Sequence, residues 1–340
     1  MSKTGILLVN LGTPDSPETA DVRKYLVEFL NDGRVIDIPA WRRKLLVNLI
    51  IAPTRASKSG AQYKQVWTKE GSPLMVYSKR LADKMQKHLG SDYVVELAMR
   101  YQNPPIQKAI DKLLGNQAVE KLIVVPLYPH YASSSTGSTI EKVMDVIKSK
   151  EVVPHTTIVG PFFNNPHFIN AFTNIVKQQN KLEEYDHFLF SYHGLPERHI
   201  LKGSAQCGTN CQLNDCCSTF SPAKFYCYRA ECFETTRLLV SALGIKEGTY
   251  TTTFQSRLGR DPWIKPYTDK VIEEKAKAGI KRILAFSPAF VADCLETLFE
   301  IRTEYNHLFQ QHGGTHLHLV ESLNDSDIWV EALGKIILSN

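Results

Sequence analysis

Eight short apolar runs rich in β-branched residues alternate with longer amphipathic segments, and this alternation restricts the chain to βαβ units built on a mostly parallel sheet. The runs are Gly5–Leu11, Val94–Met99, Leu122–Leu127 and Thr157–Phe162, followed by His187–Ser191, Tyr250–Phe254, Arg282–Phe286 and His316–Val320. Four plus four predicts two similar doubly wound α/β domains, each with a parallel four-stranded sheet and with a cleft between them. Loop chemistry repeats with the same period. Asn10-Leu-Gly-Thr-Pro14 ends the first strand of one half and Tyr192-His-Gly-Leu-Pro196 the first strand of the other. Apolar spacing of three and four predicts helices over Thr19–Leu30, Leu74–Leu89, Asn165–Gln179, Phe233–Leu243 and Leu295–Phe309. The expected domains are residues 1–164 and 165–324, the second carrying a cysteine-rich insertion at 203–232. A last helix within 325–340, over Asp327–Leu338, is assigned to neither.

A chain of 340 residues that is 43% hydrophobic can bury two such cores. Its 40 basic and 35 acidic residues are interspersed, so no basic arm or stripe marks nucleic acid as a partner. The N-terminal apolar run reads as a core strand, with no secretory cleavage site after it. The longest apolar stretch, Leu45–Pro53, is interrupted by Asn48 and is far shorter than the ~20 residues that span a bilayer. The chain is therefore expected to be cytoplasmic. Walker and Gly-x-Gly-x-x-Gly phosphate loops are absent, as are the Gly-x-Ser-x-Gly and His-Glu-x-x-His patterns of hydrolases.

Ligands of open parallel sheets sit at the carboxyl ends of the strands, which directs attention to His193 and to the segment after Ser287. His193 lies just beyond an apolar run in a loop stiffened by Gly194 and Pro196, and an imidazole can accept a proton near neutral pH. A histidine bonded only to its own loop is the bland alternative. In the helix expected after Asp293, Glu296, Glu300 and Glu304 recur every fourth residue and would form one line of like charge, relieved by water or by a cation. The competing reading makes Asp293 and Glu296 a capping pair and leaves the other two carboxylates to solvent. Imidazole with carboxylate suits a divalent first-row metal.

Six of the seven cysteines, Cys207, Cys211, Cys216, Cys217, Cys227 and Cys232, fall in the insertion. In a cytoplasmic chain such clustering points to metal before disulfides, and the surrounding Gly, Ser, Asn and Asp, Asn210 among them, make the segment turn-rich. Trp41-Arg-Arg-Lys followed by an apolar stretch suits a membrane interface or the lip of a cavity, with a plain buried helix as the alternative.

Val9-Asn-Leu-Gly-Thr-Pro14, Leu127-Tyr-Pro-His-Tyr-Ala-Ser-Ser-Ser-Thr-Gly137, Ser191-Tyr-His-Gly-Leu-Pro196, Thr253-Phe-Gln-Ser-Arg-Leu-Gly-Arg260 and Asp293-Cys-Leu-Glu-Thr297 together resemble the ferrochelatase family from about Gly5 to the last helix. The resemblance implies a lyase that inserts ferrous iron, its substrate, into a porphyrin, protoporphyrin IX above all, to make haem with release of two protons. It implies the chelatase fold, His193 and Glu296 as catalytic and metal-binding residues, and Glu300 and Glu304 as a secondary acidic path. Arg100 and Tyr128 become porphyrin-contact candidates. It also implies a [2Fe-2S] cluster in the insertion, with zinc the competing occupant and the ligating cysteines open, and peripheral contact with the inner face of the membrane. A non-catalytic haem- or metal-binding sensor on the same fold, and a chelatase for cobalt or nickel, are the alternatives.

Overall fold

The structure, a computed structural model, describes residues 3–115, 119–208, 211–217, 219–259 and 261–340. Asn210 and Arg260 lie outside these residues. Two compact units emerge: Met1–Tyr128 with Ala132–Gly160 and Asn324–Asn340, and Pro129–Tyr131 with Pro161–Leu323.

The first unit holds β1 (Lys3–Gly12), β2 (Tyr93–Tyr101), β3 (Val119–Pro126) and β4 (His155–Ile158) in one sheet of order β2-β1-β3-β4, all pairs parallel. Central β1 is covered on both faces, so Ile6, Leu7, Leu8 and Val9 are all fully buried and the strand reads as an unbroken apolar run. One face packs Leu7, Val9 and Val124 against Ile110, Leu113 and Val143 of flanking helices. The last helix, Asp327–Leu338, belongs to this unit and packs on the helix Pro73–Leu89. Its Trp329 is fully buried, and Lys84 reaches both Asp325 and Asp327.

The second unit repeats the plan with β5 (His187–His193), β6 (Tyr250–Gln255), β7 (Arg282–Phe286) and β8 (His316–Leu319) in the order β6-β5-β7-β8, again all parallel. Leu189, Ile283, Ala285 and Leu317 form its core with Ile272, Ile301 and Phe309, and Phe190 stacks on Phe286 at 4.5 Å. In each sheet the strand order reverses beside the central strand. The loops leaving β5 and β7 therefore part, which opens a crevice at their carboxyl ends.

Some local expectations change. The fourth strand ends at Ile158, because Gly160 and Pro161 follow and proline has no N–H with which to extend the ladder; Phe162 and Phe163 are buried in the second unit instead. The helix expected from Phe233 begins at Tyr228 and so includes Cys232. Residues 40–66 are helical throughout, as Ala40–Leu46, a π-turn Val47–Ile51 and Ala52–Val66. Only part of this segment is covered: Val47 and Ala52 are buried while Trp41, Leu45, Leu49 and Ile50 are 52–69% exposed, which overturns the plain buried helix. Among the described residues no helix is long and apolar enough to cross a membrane.

Candidate active site

His193 is the last residue of β5, at the crevice, and is half-buried. Its Nδ1 lies 2.6 Å from the Gly194 carbonyl oxygen. A carbonyl only accepts, so Nδ1 is the donor, and in the neutral imidazole the lone pair lies on Nε2. The loop is held from three sides. Gly194 N–H donates to the Gln255 carbonyl (2.7 Å), the Tyr228 hydroxyl donates to the His193 carbonyl (2.8 Å), and the Phe290 ring, from the segment after β7, stands 6.5 Å from the imidazole centroid. Gly194 is required here because a Cβ would lie 2.7 Å from the Gln255 carbonyl oxygen and 3.2 Å from the Trp263 ring.

Gln255 pairs with His193 across β5 and β6 and is almost completely buried. Its side-chain carbonyl accepts from Ser191 Oγ (2.7 Å), and its amide donates to the Glu296 backbone carbonyl and to Glu300 Oε2 (3.1 Å each). One saturated amide thus ties the histidine strand to the glutamate helix. Sequence reasoning assigned it no role, because only the pairing of β5 with β6 brings it into register with His193.

The glutamate segment is a π-helix over Glu296–Tyr305, continued as an α-helix over Asn306–Gln311. This corrects the expected α-helical line. With bonds from i to i+5 each turn is wider, so residues four apart fall short of a full turn rather than overshooting it. The three carboxylates also differ in surroundings. Glu300 accepts from Gln255, from Ser256 Oγ and from the Tyr305 hydroxyl (2.7 Å), and burial, then the Glu300 charge, pushes the Tyr305 phenol well up, so it remains a donor. Ser256 is placed for this by a left-handed backbone, φ 65°. Glu296 is half-buried and Glu304 exposed. Asp293 accepts from the Thr297 and Ser322 hydroxyls, while Thr297 Oγ1 accepts the Cys294 N–H.

Arg100 and Tyr128 belong to the first unit. Arg100 Nη2 pairs with Asp32 at 2.6 Å and its Nε donates to Ser138 Oγ at 2.7 Å, while Tyr101 also donates to Asp32 at 2.9 Å. Burial opposes the charge on Asp32, but the bonds from Ser138, the Arg34 N–H and Tyr101, with the Arg100 charge, hold its carboxyl below the ordinary range. Sequence reasoning missed Asp32, which reads as a turn residue beside Gly33. Tyr128 is half-buried, its hydroxyl 3.3 Å from Thr139 Oγ1.

In the insertion the sulfurs of Cys211 and Cys216, and of Cys216 and Cys217, are 4.0 Å apart, and Cys217 shares a hydrogen bond with Cys227 that lowers the Cys227 thiol. Cys207 is exposed, whereas Cys232 is fully buried and its burial pushes the thiol well up. These are free thiols, and among the described residues no three His, Cys, Asp or Glu side chains converge as a metal site. A run of four sulfur donors nevertheless has the chemistry for a thiophilic metal centre.

Two four-stranded parallel sheets of identical strand order, with an imidazole at the end of a central strand and carboxylates on the helix tied to it, define a protein of the chelatase fold. Solved structures of SirB from Bacillus subtilis with Fe3+, and of the sirohydrochlorin chelatase SirB from its subspecies spizizenii in complex with cobalt, share that fold. Each has a TM-score of 0.52, at 12% and 11% identity, and the similarity covers 99% of this chain and 95% and 94% of theirs. The ferrochelatase family model matches residues 3–340. Proteins named ferrochelatase are similar along almost the whole length: one from Coxiella burnetii (strain Dugway 5J108-111) at 44% identity, over 98% of this chain and 93% of that protein, and one from Legionella pneumophila (strain Paris) at 42%, over 98% of each. The chain belongs to the ferrochelatase family and is an enzyme, a metal chelatase.

Proposed function

We propose that this enzyme inserts ferrous iron into protoporphyrin IX, with His193 as proton acceptor and Glu296 and Glu300 on the iron side. The observation that supports the reading is the His193 Nδ1 bond to the Gly194 carbonyl, which makes Nε2 the acceptor nitrogen of the neutral ring, on a strand joined through Gln255 to the glutamate helix. The free-base porphyrin has two N–H groups. Each proton leaves as the dication takes its place, so the balance is porphyrin plus Fe2+ giving haem plus two protons. One lone pair cannot hold a proton and a metal ion together, which favours dividing the work: imidazole for the protons, carboxylates for the ion. Glu304, exposed on the same helix, extends the acidic path outward, and Arg100 and Tyr128 serve as porphyrin contacts.

The test is anaerobic mixing of the purified protein with ferrous iron and protoporphyrin, followed by visible absorption. Catalytic appearance of haem supports the reading; tight porphyrin binding without turnover would favour the sensor alternative. The starting spectrum tests the insertion as well, where thiolates of Cys211, Cys216, Cys217 and Cys227 would hold a [2Fe-2S] cluster. Sulfur-to-iron absorption supports the cluster, and a colourless protein carrying zinc replaces it with that metal.

In the Glu300→Gln variant the three donors at that position meet an amide in place of a carboxylate. The Michaelis constant for iron rises by about tenfold while that for porphyrin stays near the wild-type value, as expected for loss of one charge-assisted contact. A rise in the porphyrin constant alone would move Glu300 off the iron path.

Peripheral membrane contact is supported by the exposed Trp41, Leu45, Leu49 and Ile50 beside Arg42, which stacks on Trp41 at 5.0 Å. Co-sedimentation with anionic phospholipid vesicles should be lost in a Leu49→Glu, Ile50→Glu variant. Equal sedimentation of the two proteins would leave this patch without a membrane role.

A further inference from the structure

The helix Tyr228–Leu243 begins at the end of the cysteine-rich insertion, and its first turns carry an unusual load of buried polar groups: Glu231, Thr235 and Thr236, all nearly inaccessible. Buried polar groups persist where each has a partner, and here the partners lie on separate segments. Glu231 Oε1 accepts the Tyr226 N–H (2.8 Å) from the insertion, and Oε2 accepts the Tyr131 N–H (2.7 Å) from the loop after β3. Tyr226 presents that N–H from a left-handed backbone, φ 71°, a conformation that a tyrosine adopts only under constraint. Phe220 and Phe225 of the insertion both pack on Phe163 at 5.4 Å. One turn of helix away, the Tyr228 hydroxyl holds the His193 carbonyl, on the residue whose Nδ1 is bonded to the next carbonyl along. A continuous path of hydrogen bonds and covalent structure thus runs from the insertion through Glu231 and Tyr228 to His193.

We propose that Tyr228 is a positioning residue for His193 and that the insertion acts on His193 through it, with Glu231 as the clasp. The inference deepens the reading of His193 as proton acceptor and rests on it. Its test separates the two, because the imidazole spectrum reports the tether whether or not His193 takes the proton.

The experiment compares Tyr228→Phe with Tyr192→Phe, a matched removal of a buried hydroxyl on the same seam, where Tyr192 bonds Thr236 at 2.9 Å. Tyr228→Phe should shift and broaden the His193 imidazole signals in 1H–15N spectra. It should also lower kcat by roughly tenfold, less than the ~10²-fold that a full ångström of misplacement costs, with the porphyrin KM unchanged. Tyr192→Phe should lower the melting temperature comparably and leave the His193 signals and kcat in place. Glu231→Gln should reproduce the His193 shift in the wild-type background and add little to it in Tyr228→Phe, the non-additivity of one chain of contacts. Unchanged His193 signals in Tyr228→Phe, or equal shifts in Tyr192→Phe, would overturn the positioning role. Simple addition of the Glu231→Gln and Tyr228→Phe effects would overturn the link to the insertion. Should Glu231→Gln not fold, Glu231→Asp, which keeps the carboxylate and shortens its reach, takes its place in the same comparison with Tyr228→Phe.

Discussion

His193→Ala loses roughly 10²–10⁴-fold in the rate of haem formation, the range spanned by a positioned general base, while porphyrin still binds. The geometry explains both halves of this expectation. The imidazole is committed through Nδ1 to the Gly194 carbonyl, so its other nitrogen is available to a pyrrole N–H, and alanine has no acceptor to offer. The supports of the loop are backbone groups, namely Gly194 N–H to Gln255 and the His193 carbonyl to Tyr228, and they survive the substitution. The fold and the porphyrin affinity, followed by fluorescence quenching on titration, therefore stay near wild type as kcat falls. A variant that keeps full anaerobic turnover would remove His193 from the chemistry and leave the carboxylates of Glu296 and Glu300 to accept the protons.

Gly194→Ala should damage both stability and turnover. The added methyl meets backbone, the Gln255 carbonyl at 2.7 Å, on one side and the Trp263 ring on the other. Trp263 is itself pinned by its indole N–H to the Leu258 carbonyl at 3.0 Å. Neither neighbour is the free end of a flexible side chain, so the loop must move, and overpacking of this kind costs about 1–3 kcal/mol. The first bond to be strained is Gly194 N–H to Gln255, which closes β5 onto β6 beyond His193. Displacement there carries the imidazole with it, and a shift of about an ångström costs on the order of 10²-fold in rate. Gly203→Ala is the control. Gly203 lies in the helix Glu197–Gln206 with open space around its Cβ position, and alanine there should be neutral or slightly stabilising. Thermal melting of the two variants beside wild type checks the contrast; equal melting temperatures for all three proteins would show that the loop has room the geometry denies.

Much of this protein was legible in its residues. The central strands announce themselves because a central parallel strand is buried on both faces and must be apolar along its length, as Ile6–Val9 are. Two four-stranded sheets follow from the fourfold repetition of such runs in each half, whereas the order within them, β2-β1-β3-β4 and β6-β5-β7-β8, is set by the tertiary pairing. His193 stood out as a histidine beyond a strand end, and the glutamates by their period. What the residues did not determine depended on partners distant in the chain. The π-helical winding of Glu296–Tyr305 cannot be told from α by apolar spacing, since both present a buried face and differ only in which carbonyl each N–H reaches. Gln255 and Tyr228 carry no signature of their own. They matter because parallel pairing brings Gln255, 62 positions along the chain, into register with His193, and because folding sets the Tyr228 hydroxyl against the His193 carbonyl. The sequence determined which segments are buried and which side chains have useful chemistry, through local pattern and hydrophobicity; only the tertiary structure decided which hydrogen bonds aim them, because those bonds join residues that no local periodicity relates.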